Sequence, residues 1–102
     1  MMDISQLSDA ELLSLVAAGD AAAEEALAER YSRLVRICAR LLFLAGGDSE
    51  DLIQEGMLGL LSAIRQYDPA SNVPFKAYAE VCISNRIYSA IKSASRQKHS
   101  PL

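Results

Sequence analysis

The chain has little of what metal sites need. Its 102 residues include one histidine, His99, and two cysteines, Cys38 and Cys82, that stand far apart. A structural zinc site takes about four Cys or His ligands at short, regular spacings, and no such spacing occurs here. Both cysteines fall within apolar helical patterns, which favours two small buried thiols. We therefore expect no metal ion and no cofactor.

Enzyme signatures are also missing. The sequence has no glycine-rich phosphate loop and no nucleophile elbow. Any Ser–His–Asp or Cys–His arrangement would need His99, which stands three residues from the end of the chain. The carboxylates gather where helices are predicted to begin, and capping accounts for them there. The sequence therefore predicts a protein that is not an enzyme.

Long apolar runs are absent as well. The longest, residues 41–45, has five residues and ends at a pair of glycines, whereas a membrane-spanning helix needs about 18 or more. The N-terminus, Met-Met-Asp-Ile-Ser, lacks the positive region and apolar stretch of a secretion signal. We expect a cytoplasmic protein without a membrane partner.

What the sequence does have is the composition of a folded domain. Apolar residues make up 51% and charged residues 23% of the chain, which suits one domain with a modest core. Residues 1–68 hold twelve acidic and five basic residues, a balance of −7, and residues 69–102 hold one acidic and five basic residues, a balance of +4. The basic C-terminal third fits either a nucleic-acid partner or a solvated basic helix end, and charge alone does not distinguish the two.

The apolar spacing predicts a compact all-α bundle of about four helices, in one domain of residues 1–102. Strand signals are missing, since the sequence has no sustained alternation and no Asn-Gly or Asp-Gly turn. The N-terminal helices are expected within residues 8–45, a third helix over 49–67 and a fourth over 74–96.

Capping residues mark where the predicted helices begin and end. Ser8 and Glu11 have capping-box spacing for the first helix, and Gly19 ends it. Asp20 can cap a second helix that continues to the glycine pair at residues 46–47. Its apolar residues recur at steps of three and four, so we expect them to share one face: Leu27, Tyr31, Leu34, Val35, Cys38, Leu41 and Leu42.

Two glycines stand inside the predicted third helix. Gly56 and Gly59 each cost about 1 kcal/mol relative to alanine in a helix interior. Their spacing places them near one another on the helix surface, where a neighbouring helix can approach closely. We expect such an approach to offset the cost.

The outer side of the fourth helix carries a mixture of amide, hydroxyl and cationic groups. Asn85, Ser89, Lys92 and Arg96 follow one another at helical spacing, with Arg86 and Tyr88 beside them. These groups suit base edges and phosphates in a duplex groove. An ordinary solvent-exposed helix face is the alternative.

The segment before this helix is rich in aromatic residues. Tyr67, Phe75 and Tyr78 stand close to basic residues, and exposed aromatics of this kind stack on unpaired bases. Aromatic residues at helical spacing are more often part of a core, and the pattern alone favours that interpretation.

The third helix presents an acidic edge with apolar neighbours. Asp51, Gln54 and Glu55 lie beside Met57 and Leu61, and such an edge can dock on a basic helical partner. Acidic residues also simply complement the helix dipole in a first turn, so this pattern is weak by itself.

Four motifs in order resemble one protein family. They are Glu50-Asp51-Leu52-Ile53-Gln54-Glu55-Gly56-Met57-Leu58-Gly59-Leu60 with Ala63-Ile64-Arg65-Gln66-Tyr67-Asp68 after it, then Pro74-Phe75-Lys76-Ala77-Tyr78-Ala79, then Arg96-Gln97-Lys98-His99-Ser100-Pro101-Leu102. This order resembles domain 2 of bacterial RNA polymerase sigma factors of the sigma-70 family. The details are most similar to the sigma-H type, the transition-phase and sporulation factor of Gram-positive bacteria. The resemblance is strong over about the last 55 residues and looser before them.

The resemblance implies a transcription initiation factor that binds core RNA polymerase and recognises and melts the minus-ten promoter element. Residues at positions that contact the coiled coil on the polymerase clamp are Asp51, Gln54, Glu55, Met57 and Leu61. Residues that correspond to the region capturing flipped bases of the non-template strand are Tyr67, Asp68, Phe75, Tyr78 and Val81.

It also implies which residues read duplex DNA. Those matching the upstream edge of the minus-ten element are Asn85 and Ser89, with Arg86 and Tyr88 beside them. Those expected to contact phosphates are Lys76, Lys92, Arg96 and Lys98. An anti-sigma factor is a further candidate partner. Family members carry another domain that reads the minus-thirty-five element, and we expect it to be absent from this chain.

Some positions depart from the family pattern. Val81 and Cys82 stand where primary sigma factors carry adjacent tryptophans, so the wedge against the last base pair is smaller. Val73 replaces an aromatic residue, and the pair Asn85 and Ser89 predicts a promoter different from the housekeeping one. The alternative from another class is a helical protein-interaction module without its own DNA readout.

Overall fold

The computed structural model describes residues 3–43 and 49–98, and the side-chain surroundings of residues 3–42 and 50–93. After a short 3-10 turn at Ile4–Gln6, this part of the chain forms five α-helices. They are α1 (Asp9–Ala17), α2 (Ala21–Arg30), α3 (Ser32–Phe43), α4 (Ser49–Gln66) and α5 (Phe75–Lys98). The all-α prediction is confirmed. No described helix is long and apolar enough to cross a membrane.

The N-terminal helices begin where the capping residues predict. The Ser8 Oγ accepts from the Glu11 amide at 3.1 Å, and the Ser8 amide donates to Glu11 Oε1 at 3.0 Å, which completes the capping box. Gly19 has a φ of +94°, which lets the chain turn at low cost after α1. Asp20 then accepts from the amides of Ala22 and Ala23 and so begins α2.

The predicted second helix is divided into two, which corrects the expected helix count. Tyr31, with φ −102° and ψ 6°, ends α2, and the Ser32 hydroxyl donates to the Glu29 carbonyl at 2.8 Å. The Tyr31 ring is held between neighbours, because its hydroxyl donates to Asp9 and it packs edge-to-face with Phe75, with ring centroids 5.3 Å apart. Tertiary contacts therefore override the continuous helical pattern at this point.

The shared apolar face predicted for the second helix is wrong at one position. Leu41 is 69% exposed, whereas Val35, Cys38 and Ala39 are buried. Once α3 begins anew at Ser32, the side of α3 that carries these three residues packs on α4 and α5. Leu41 lies outside that side. The predicted stop at residues 46–47 falls outside the described residues.

The closest helix pair in the core is α4 with α5, and glycines make it possible. An added Cβ on Gly59 would lie 2.8 Å from the Cys82 carbonyl oxygen and 3.1 Å from the Ile83 Cα. One on Gly56 would lie 2.7 Å from Val35 Cγ1. The predicted close approach is confirmed, and Leu60, Ile83 and Ile87 fill the fully buried space around it.

Ion pairs tie α2 to other parts of the bundle. Arg65 on α4 binds Glu24 through Nε at 3.1 Å and Nη2 at 2.8 Å, a two-point contact that lowers the pKa of Glu24. Arg30 binds Asp9 at 2.8 Å. Burial and the hydrogen bond to Asp9 raise the pKa of Tyr31 above its ordinary value. These contacts fix α1 and α2 against the longer helices.

We predict that Gly59→Ala destabilises the fold by about 1–3 kcal/mol. Alanine would stabilise an unobstructed helix interior by about 1 kcal/mol, but here the new methyl group meets a backbone oxygen that cannot move without its helix. Urea unfolding measures the difference. Gly56→Ala should cost less because its nearest neighbour is a side chain, and the exposed Ser62→Ala on the same helix is the control. A Gly59→Ala protein as stable as the parent would contradict close packing.

We also predict a pH-dependent contribution from Glu24. At neutral pH, Glu24→Gln should lower the free energy of unfolding by at most about 1 kcal/mol, because Arg65 is largely exposed and solvent screens the pair. The pKa of Glu24 is lowered on folding from 4.5. Its stabilisation is therefore present above that pH and is lost as the pH falls through the folded value.

Urea unfolding at pH 7 and pH 3 tests this dependence. The difference between the parent and Glu24→Gln should be present at pH 7 and should be smaller at pH 3, because protonation of Glu24 removes its charge. The matched control is Glu25→Gln on the same helix, which should show little difference at either pH. A difference for Glu24→Gln that persists unchanged at pH 3 would contradict the ionic origin.

Candidate functional site

The outer side of α4 forms a continuous acidic and apolar surface. Asp51, Gln54 and Leu58 are exposed, and Glu55 is half-buried. These residues recur at steps of three and four and so lie on one side of the helix. The core residues Leu52 and Leu60 lie on the other side. We call the set Asp51, Gln54, Glu55, Leu58, Leu61 and Ser62 the α4 outer face.

Two neighbouring apolar residues of α4, Met57 and Leu58, differ in their exposure. Met57 is half-buried and packs against the core, so it lies at the flank of the α4 outer face. Leu58, which the motif reasoning did not select, is 47% exposed and lies between Gln54 and Ser62. The helical steps from Gln54 to Leu58 and from Glu55 to Leu58 would have identified it. Leu61 is half-buried and remains on this surface.

The outer side of α5 presents the polar and cationic groups predicted for it. Asn85, Ser89 and Lys92 are exposed, and Val81 and Tyr88 are 58% and 53% exposed. The Lys92 ammonium lies 5.5 Å from the centre of the Tyr88 ring, so the cation and the ring can support each other. These five residues form the α5 outer face. Arg96 lies in α5, but its side chain falls outside the described ones.

Arg86 occupies a different place from the rest of the predicted DNA-contacting residues. Its Nε lies 3.6 Å from Glu55 Oε1, and its Cβ lies against Gly59. It therefore bridges α5 to the acidic side of α4. Arg86 and Glu55 were predicted to serve two different partners, and in this structure they bind each other.

Four aromatic rings follow one another beside the joint between α4 and α5. Tyr31 and Tyr67 each meet Phe75 edge-to-face with centroids 5.3 Å apart, and Tyr78 meets Tyr67 at 5.6 Å. Phe75 is 6% exposed and so belongs to the core, where it supports the half-buried Tyr67 and Tyr78. For Phe75 this is the core interpretation that the sequence favoured, whereas Tyr67 and Tyr78 keep partly exposed rings.

The joint itself is held by hydrogen bonds between residues that are close in sequence. The Tyr67 hydroxyl donates to the Val73 carbonyl at 2.6 Å. Asp68 Oδ1 accepts from the Ala70 amide at 2.9 Å, and the Asp68 carbonyl accepts from the Ser71 amide at 3.0 Å. Asp68 thus shapes a turn. Its carboxylate is engaged within the chain, and a carboxylate repels phosphate.

A groove of about 350 Å³ opens at this joint. It is lined by the rings of Tyr31, Tyr67 and Phe75, by Pro69 and Pro74, and by Asp9 and Lys76 among others. Lys76 and Asp9 contribute side chains of opposite charge to its lining. The groove combines ring surfaces with polar groups, a lining suited to a planar ring that carries hydrogen-bonding groups.

The thiols and carboxylates do not form a metal centre in the part of the chain that is described. No group of three or more Cys, Asp, Glu or His residues is placed to hold an ion there. Cys38 is buried, as predicted, and Cys82 is only half-buried. Burial raises the pKa of Tyr78, and the neighbouring Cys82 adds to this. His99 and Lys98 lie outside the described side chains.

Comparison with known proteins gives one consistent result. The family model described as Sigma-70 region 2 matches residues 27–97. The RNA polymerase sigma-H factors of Bacillus licheniformis and of Bacillus subtilis strain 168 are each 46% identical over 97 residues, which is 95% of this chain and 44% of each relative. The RNA polymerase sigma-E factor of Clostridium acetobutylicum is 32% identical over 95 residues, or 93% of this chain and 40% of that protein.

The resemblance inferred from the motifs is therefore confirmed. The chain spans less than half the length of these curated relatives.

We predict that the Glu55–Arg86 pair contributes less than about 1 kcal/mol to stability, because both side chains are partly exposed. The free energies of unfolding of Glu55→Gln, Arg86→Ala and the double variant give the coupling between the two residues. A coupling of more than about 2 kcal/mol would mean that the pair is a main structural tie. A small coupling makes both residues usable as functional probes.

Proposed function

The chain belongs to the sigma-70 family, and we propose that it binds core RNA polymerase and recognises and melts the minus-ten promoter element. The observation that carries the proposal is the arrangement of α4 and α5. Packed together at Gly59, they turn an acidic and apolar face and a polar and cationic face outward. Two different partners can therefore bind one rigid pair of helices.

The polymerase-binding half of the proposal rests on the α4 outer face. Asp51, Gln54 and Glu55 supply acceptors and charge, and Leu58 and Leu61 supply apolar contact. Such a stripe suits a helical partner with basic and apolar residues at matching spacing. We propose that this partner is the coiled coil on the polymerase clamp, with Met57 acting from the flank. Leu58 is added to the predicted contacts because it is the more exposed residue.

The promoter-reading half rests on the α5 outer face. Asn85 and Ser89 are exposed one turn apart and can present an amide and a hydroxyl to base edges. Lys92 and Tyr88 lie beside them, and Lys92 can neutralise a phosphate. We propose that this face reads the upstream end of the minus-ten duplex and that Arg96 and Lys98 extend its phosphate contacts.

Melting is assigned to the joint. Unpairing a base costs a few kcal/mol, and stacking on an aromatic ring returns about 1–3 kcal/mol per base. Tyr67 and Tyr78 offer partly exposed rings, and the groove beside them has Lys76 in its lining. We propose that bases of the non-template strand enter here. Phe75 holds Tyr67 in place, and Val81 supplies a smaller wedge than an aromatic residue would.

Three further points belong to this proposal. The chain supplies binding energy only, and RNA synthesis stays with the polymerase, in the cytoplasm. The similarity to sigma-H factors supports use at transition-phase or sporulation promoters. The balance of −7 over residues 1–68 opposes DNA, so the isolated chain should bind promoter duplex only weakly.

We predict that Asn85→Ala with Ser89→Ala changes promoter choice without weakening polymerase binding. Each good bidentate base contact is worth about 1–3 kcal/mol of discrimination, or roughly 5-fold to 150-fold. The measurement is the affinity of the chain–core polymerase complex for a panel of promoter duplexes that differ at the upstream minus-ten position. Ser93→Ala, an exposed serine on the same helix, is the control.

A second pair of substitutions tests polymerase binding separately from promoter reading. Gln54→Lys with Leu58→Ala should weaken binding to core polymerase while the fold is kept, because both residues are exposed. If the Asn85 and Ser89 substitutions leave promoter choice unchanged and polymerase binding persists, the chain is an interaction module without its own DNA readout. Tight, sequence-specific duplex binding without polymerase would contradict the mechanism.

A further inference from the structure

Helix α3 carries a further exposed surface, beside the α4 and α5 outer faces, that neither half of the proposed function uses. Arg33, Arg36, Ile37, Arg40 and Leu41 stand at helical steps of three, one, three and one, so they form one stripe along the helix. All five are exposed, with Ile37 at 46% and Leu41 at 69%. The opposite side of α3, with Val35 and Cys38, lies in the core. We call the five residues the α3 stripe.

The arginines of this stripe form no ion pairs with acidic residues in the described part of the chain. Residues 1–68 contain five basic residues. Two of them, Arg30 and Arg65, bind Asp9 and Glu24. Within the described part of the chain, the three arginines of α3 form no ion pair. In an otherwise acidic half, the unpaired cations are thus gathered on one helix face.

We propose that the α3 stripe is a docking surface for an acidic amphipathic helix of another protein. Ile37 and Leu41 would contact the apolar side of that helix, and its carboxylates would bind the arginines. Guanidinium groups bind carboxylates through two parallel hydrogen bonds, which fixes the partner's register as well as its charge. Helix-on-helix recognition of this kind is read through anchors at spacings of three and four, the spacing found here.

A protein partner fits this stripe better than nucleic acid does. Phosphate backbones would use the arginines but would leave Ile37 and Leu41 against a charged surface, where burying them gains nothing. The stripe also lacks the amide, hydroxyl and aromatic groups that the α5 outer face offers. Its charge is opposite to that of the α4 outer face, so a basic segment that suits α4 does not suit α3.

The test uses the whole chain and a defined probe. The probe is a helical peptide of about 20 residues with leucines at three- and four-residue spacing flanked by glutamates, and the control is a scrambled peptide of the same composition. Fluorescence anisotropy gives its affinity, and backbone NMR shifts locate it. The expected result is binding of the patterned peptide alone, with shifts centred on residues 33–41 and weakening as salt rises.

Variants establish the chemistry. Arg33→Glu with Arg36→Glu and Arg40→Glu should weaken the peptide at least about tenfold, since like charges then face each other. A peptide with lysines in place of glutamates should bind this variant better than the parent. Ile37→Ser with Leu41→Ser removes the apolar contact and should also weaken peptide binding. This second variant keeps the proposal testable if the charge-reversed chain fails to fold. Lys92→Glu on α5 should have no effect.

Several outcomes would overturn the proposal. They are equal binding of the scrambled peptide, NMR shifts on α4 or α5 in place of α3, and no binding of either peptide. Binding of duplex DNA that shifts residues 33–41 and displaces the patterned peptide would assign the stripe to nucleic acid. Because the readouts need neither polymerase nor promoter, their failure leaves the proposed transcriptional role to be judged separately.

Discussion

The arrangement of this domain depends on one contact, the approach of α4 to α5 at Gly59. The position of its missing Cβ lies 2.8 Å from the Cys82 carbonyl oxygen and 3.0 Å from Arg86 Cβ. No side chain fits there, so the spacing of the two helices is set by backbone against backbone. Gly56 extends the same arrangement to Val35 on α3. The close packing around Leu60, Ile83 and Ile87 thus offsets the low helix propensity of glycine.

This contact determines where the proposed binding faces lie. With the inner sides of α4 and α5 pressed together, their outer faces turn to different directions and carry different chemistry. The joint between them is held by the Tyr67 hydroxyl on the Val73 carbonyl and by Phe75 beneath the Tyr67 ring. Contacts within the chain therefore tie α5 and the joint to α4. Glu55 and Arg86 meet at the boundary between the two faces.

Local signals in the sequence were sufficient for the starts of α1 and α2 and for the close packing of α4 on α5. Ser8 and Asp20 act through residues two or three positions away, so the helix starts could be predicted. Glycines inside a helix, such as Gly56 and Gly59, have few explanations other than close packing, so that packing could be predicted as well. The break at Tyr31 could not, because it depends on Asp9 and Phe75, which are distant in sequence. On the α4 outer face, the family motif pointed to Met57, whereas helical geometry places Leu58 there. The pairing of Arg86 with Glu55 and the turn formed by Asp68 also required coordinates.

Side-chain footprinting by hydroxyl radicals tests the central claim, that one rigid helix pair presents separate faces to two partners. The exposed residues Leu58 on α4, Val81 and Tyr88 on α5, and Leu41 on α3 are suitable reporters. Core polymerase alone should protect Leu58 and leave Val81 and Tyr88 reactive. A promoter fork added to that complex should then protect Val81 and Tyr88, while Leu41 stays reactive throughout. Protection of α5 by polymerase alone, or of neither face in the full complex, would contradict the account.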